Sequence, residues 1–71
     1  MTVAATTIGK LADDVQYGTR AAHAATQRGD VPRMRRELKR VQAAISAALA
    51  LGLSAQLTAE LQGRGFGGDD Q

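Results

Sequence analysis

The chain has no cysteine and no tryptophan, a single histidine, a single proline, and only two aromatic residues, Tyr17 and Phe66. Without cysteine there are no disulfides and no thiolate metal sites. One histidine, His23, cannot hold a metal by itself, so no metal or cofactor site is expected. The scarcity of aromatics removes the platforms on which single-stranded nucleic acids stack their bases. Long apolar runs are missing too. The longest apolar stretch, Val41 to Leu53, is interrupted by Gln42 and Ser46. It falls short of the roughly 20 residues a membrane-spanning helix needs. The N-terminus has neither the basic start nor the apolar run of a signal peptide, so the expectation is a cytoplasmic protein. Seventy-one residues make at most one domain. A chain this short buries only about 60% of its unfolded surface, and small scaffolds need a staple. With disulfides and metals excluded, the staple left is self-association or a larger partner.

Alanine, leucine, isoleucine and valine carry the apolar fraction, a composition that suits close helix packing. Two segments have sustained helical periodicity. In the first, Ala4, Ile8, Leu11, Val15, Gly18, Ala22 and Ala25 recur at steps of four and three. In the second, Met34, Leu38, Val41, Ile45, Ala48 and Gly52 do the same. Between them, Gly29 suits a helix C-terminus, Asp30 an N-cap, and Pro32 a first turn. Folding the chain at Gly29-Asp30 pairs Ala25 with Met34, Ala22 with Leu38, Gly18 with Val41, Val15 with Ile45, Leu11 with Ala48 and Ile8 with Gly52. The residue numbers of each pair add to 59 or 60. Nearly every layer sets a small side chain against a large one, which packs without voids. The spacing therefore predicts an antiparallel helical hairpin, Val3–Arg28 and Val31–Leu51. Within it, Gly18 is read as the point of close helix approach, with a hinge as the rival reading.

After Gly52 the pattern changes. Leu49, Leu53, Leu57 and Leu61 lie at successive steps of four. Ser54 is placed to cap a short third helix from about Ala55 to Gln62; the alternative is a second helix that runs straight through Gly52. These leucines reach beyond the first helix. The third helix, a second copy or a partner must cover them. Residues 63–71, with four glycines and two aspartates, read as a disordered tail behind a single helical domain of residues 1–62. The expected fold is thus all-α, a hairpin plus a short third helix, dimerising into a helical bundle.

The run of small residues, the Gly29-Asp30 punctuation and the Ala/Leu-rich helix after it resemble one unit of a tetratricopeptide array, over about 35 residues. A solenoid needs several such units, and this chain holds little more than one. In architecture alone, the hairpin resembles the small plasmid regulators that dimerise into four-helix bundles and bind RNA. No motif here is specific to either group, so neither assigns the chain.

Catalytic chemistry has little to work with. His23 is the one histidine base, and Asp13 and Asp14 lie nine or ten residues before it, more than about 13 Å along a helix. No phosphate-binding loop or paired metal-ligand spacing is present. The expectation is a protein without enzymatic activity. Charge is the sharper signal. Between Arg20 and Arg40 seven basic residues, Arg20, Arg28, Arg33, Arg35, Arg36, Lys39 and Arg40, face two acids, Asp30 and Glu37. This segment carries +5 and the rest of the chain −3. Four of the cations begin the second helix, where the macrodipole prefers acids. Pairs of Glu37 with Arg33 and with Arg40 offset part of this.

Two functions follow as expectations. The first is a small interaction module, an adaptor, inhibitor or assembly factor, that binds itself or another protein through Leu49, Leu53, Leu57 and Leu61. The second is a nucleic-acid-binding regulator that uses Arg28, Arg33, Arg35, Arg36, Lys39 and Arg40 at the turn end. The rival to the second is a solvated basic face. Arginine outnumbers lysine seven to two and alanine is abundant, a usage expected of a high-GC bacterium or its phage.

Overall fold

No proline interrupts the first 31 residues, so backbone hydrogen bonding can run on without a missing donor. It does so from Val3 to Gln27, forming α1. A computed structural model of the chain describes residues 3–65, with side chains from Thr6 onward. Its elements are α1 (Val3–Gln27), α2 (Val31–Ala50) and α3 (Ser54–Gly63), with no strand among the described residues. None of these helices is long and apolar enough to cross a membrane.

Each helix stops by the same device. Gly29 takes φ +73°, a left-handed conformation that glycine adopts without a Cβ penalty. The Asp30 N–H then donates to Ala25 O at 2.8 Å and the Gly29 N–H to Thr26 O at 3.0 Å. Those are the two bonds of a Schellman closure. Asp30 opens α2 at once, its carboxylate accepting from the Arg33 N–H at 3.2 Å, with Pro32 in the first turn. At the far end of α2 the closure repeats. Gly52 has φ +71°, the Leu53 N–H donates to Ala48 O at 2.8 Å, and the Gly52 N–H donates to Leu49 O at 3.1 Å. Helix two therefore breaks at Gly52. Ser54 does not cap α3: Leu53 occupies the cap position with no side-chain bond, and its carbonyl accepts from Leu57 N. The closure has already turned the chain by Leu53, which leaves Ser54 as the first helical residue.

Helices α1 and α2 pack along most of their length. On α1 most of the expected face is buried: Val15, Ala22 and Ala25 are at most 5% exposed, Gly18 is buried, and Ile8 and Leu11 are half-buried. Ala12, which was not part of the expected stripe, is fully buried beside Leu11. Ala4 lies outside the described side chains. On α2 the face is turned by about one position. Glu37, Ala44 and Ala48 are buried, while Leu38 and Ile45, expected in the seam, are each 43% exposed. The cause is visible at Gly18. A Cβ built there would lie 2.7 Å from Val41 Cγ2 and 3.1 Å from Glu37 O. The α2 backbone therefore stands nearly against α1. At that separation alanine fits the seam, and the branched side chains are displaced to its flank.

Helix α3 folds back over the open end of the hairpin and rests mainly on α1. Leu57, 4% exposed, forms a cluster with Ala12 and Ala48, and Leu11 and Leu61 pack around it. Arg64 ties the end of α3 to α1. Its Nε donates to Glu60 Oε2 at 2.8 Å. One terminal nitrogen donates to Asp13 Oδ1 at 2.8 Å and to Gln16 Oε1 at 2.6 Å. The other reaches Gly9 O at 3.5 Å. Bonding to Asp13 and then Glu60 raises the guanidinium above its ordinary pKa, with desolvation acting in the opposite direction. Residues 63–65, expected in a tail, instead form the end of α3. Gly63 ends α3, Arg64 caps it, and Gly65 closes it at φ +79°. Residues 66–71 lie outside the described residues.

Two outcomes follow. Gly18→Ala gains about 1 kcal/mol of helix propensity but overpacks a seam where one close neighbour is backbone, at about 1–3 kcal/mol. Thermal unfolding is expected to show net destabilisation; a midpoint at or above the parent's would mean that the helices part cheaply. Arg64→Ala should lower hydrogen-exchange protection of the α3 amides and leave those of α1 and α2 unchanged. Equal protection of α3 in both proteins would show that Leu57 alone holds it.

Candidate partner-binding surface

Helix geometry sets out what α2 shows to solvent. At 3.6 residues per turn, Val31, Leu38, Ile45 and Leu49 fall within an arc of about 40°. All four are exposed, at 44%, 43%, 43% and 64%. Their spacing of seven, seven and four is that of a helix seam. The close packing at Gly18 makes this flank: α2 is apolar over a wider arc than α1 can cover. Leu51, 59% exposed, adds to the apolar surface near the end of α2.

The expected leucine stripe does not stay together. Leu57 is in the core, Leu53 and Leu61 are half-buried, and only Leu49 is left exposed. The step-of-four spacing assumed one continuous helix, and the break at Gly52 redirects its second half onto α1. Of the three covers that the spacing allowed for these leucines, the third helix supplies the one for Leu57 and Leu61. Leu49 belongs instead with Val31, Leu38 and Ile45.

The basic residues divide into two groups around α2. Arg33 and Arg40 lie on the flank away from the apolar stripe. Both lean on Glu37, with Nε–Oε distances of 3.6 Å and 3.5 Å, the two pairs that sequence spacing indicated. Arg40 also sits over the Tyr17 ring, 4.9 Å from its centroid, a cation–π contact. Glu37 itself is only 4% exposed. Its Oε1 and the Arg33 Nε are buried without a hydrogen bond, so the carboxylate is offset by charge alone. Burying it costs free energy that its half-exposed partners repay only partly. Sequence spacing indicated the pairs but not the burial, because the expected seam ran through Leu38 rather than Glu37.

Arg35 and Lys39 form the second group, about 40° and 80° beyond the stripe on the solvent side. Both are exposed, as are Arg36, farther round α2, and Arg28, at the turn. No exposed acid accompanies them: among the described residues of the turn and α2, Asp30 is spent as a cap and Glu37 is buried. The six sequence-expected basic residues thus share one end of the hairpin, but Arg33 and Arg40 are already engaged. His23 is exposed on α1. Among the described residues no three His, Cys, Asp or Glu side chains come close enough to hold a metal ion.

No protein-family model matches the chain, and neither the curated proteins nor the solved structures contain a match to it.

Proposed function

We propose that this chain is a small non-enzymatic interaction module, an adaptor, inhibitor or assembly factor, whose binding surface is the apolar flank of α2. One observation carries the reading: Val31, Leu38, Ile45 and Leu49 stand exposed in a row at seam spacing, although the chain holds few large apolar side chains to spare. A seam-spaced apolar row fits the side chains of another helix, contributed by a second copy, as in a dimeric bundle, or by a different protein.

The test is the double variant Leu38→Asp with Ile45→Asp. Both positions are already partly solvated, so helicity by circular dichroism should be close to the parent's. Association should be lost, whether with itself in light scattering or with a cross-linked protein in the cells that make it. Association that persists in the double variant would remove the flank from the reading.

A second reading is favoured by the all-basic exposed surface of the turn end. Arg28, Arg35, Arg36 and Lys39, joined by Arg33 and Arg40, would contact phosphate in a nucleic acid. Fluorescence anisotropy with duplex DNA and single-stranded RNA should then show binding that weakens steeply with salt. Exchange of Arg35, Arg36, Lys39 and Arg40 for glutamine should flatten that dependence. Absence of binding at low salt would end this reading.

A further inference from the structure

We infer that the occupant of the α2 flank is an acidic amphipathic helix of another protein. The inference rests on the proposed reading of that flank as a binding surface and adds the chemistry of the partner.

The apolar row has an asymmetric border. On its inner side lie the half-buried Met34 and Val41 of the α1–α2 seam. On its solvent side lie Gln42, Arg35, Ser46 and Lys39, in that order round the helix. The ionisable border is therefore wholly basic, and it is concentrated beside Val31 and Leu38. The one acid of α2 is buried on the opposite flank, between Arg33 and Arg40. Nothing within α2 offsets Arg35 or Lys39. A helix laid along the row would bring the residues that flank its own seam to the places where coiled coils form their interhelical ion pairs. Glutamate or aspartate there would meet Arg35 and Lys39; lysine or arginine there would be repelled.

A second copy fits this border less well. Laid parallel, it would set Arg35 and Lys39 against themselves. Laid antiparallel, it would set them against the uncharged half of α2 that holds Gln42 and Ser46. Neither arrangement neutralises the cations. A nucleic acid would meet the positive charge without using the apolar row. A membrane surface would use both, but its amphipathic helices bury a wide apolar face, and this row spans only about 40°.

The test uses the full chain and three labelled peptides of roughly three heptads, the length of α2. They share one leucine seam and differ only in its flanking residues, which are glutamate, glutamine or lysine. Anisotropy is read at low and at physiological salt, with the mass of the unmixed chain measured alongside. The glutamate peptide should bind tighter than the glutamine peptide by about five- to tenfold at low salt, and the margin should shrink as salt rises. In the variant Arg35→Glu with Lys39→Glu, the lysine peptide should become the preferred ligand. Both positions are exposed on α2, so the exchange leaves the core intact, and a folding defect would weaken all three peptides rather than reverse their order.

Equal binding of all three peptides, or a glutamate preference that survives in Arg35→Glu with Lys39→Glu, overturns the acidic partner and leaves the flank intact as a surface. Binding of all three that is unchanged in Leu38→Asp with Ile45→Asp overturns the flank itself. A dimeric chain whose assembly depends on Leu38 and Ile45 makes a second copy the occupant, and absence of binding to every peptide overturns the inference outright.

Discussion

The close approach of α2 to α1 at Gly18 is the constraint on which the rest depends. With no side chain at Gly18, the Glu37 carbonyl can stand where a Cβ would otherwise crowd it. That separation favours small side chains, so Ala12, Ala22, Ala25, Ala44 and Ala48 fill most of the buried face, with Val15 and Glu37 beside them. Alanine gives up little side-chain entropy on burial but removes little apolar area from water. The hairpin is therefore tightly joined and thinly cored. No large side chain is fully buried among the described residues, and the branched residues of α2 lie beside the seam.

The helix ends are set by local chemistry that needs no tertiary help. Three glycines in the left-handed region stop three helices, and Asp30 and Pro32 start one. For this reason the sequence reading placed the bounds of α1 and α2 to within one residue, while it left open whether α2 ran on through Gly52 in place of α3. The α1 face was legible as well, because its stripe of small residues reads the same whether α2 is near or far. The α2 face was not. Steps of three and four fit both the row through Leu38 and Ile45 and the row through Glu37 and Ala44. Hydrophobicity favours the first. The choice is made by helix separation, a distance that no residue of α2 encodes alone.

The site shows the same division. The charge polarity of the chain and the Glu37 ion pairs were readable from spacing. The role of Arg64 was not, because its partners Asp13 and Gln16 lie some fifty positions away in the chain and the glycines around it imitate a loose end. The leucines from Leu49 to Leu61 kept their spacing on paper, yet Gly52 divides them between two surfaces. Leu57 became core with Leu61 packed beside it, Leu53 is half-buried, and Leu49 stayed on the outside. The surface proposed for a partner thus joins Leu49, expected to face a partner, to Leu38 and Ile45, expected in the interior.

The described chain measures only 18 Å across its thinnest axis, less than two full helix diameters side by side. A body so thin has no interior in the usual sense, since every buried side chain is one layer from water. Anything that covers the α2 flank becomes, for Leu38 and Ile45, the missing second layer of the protein. Association and stability are then linked. A partner that binds the folded state alone raises the unfolding temperature in proportion to the logarithm of its concentration. The melting point of such a chain would report on the company it keeps.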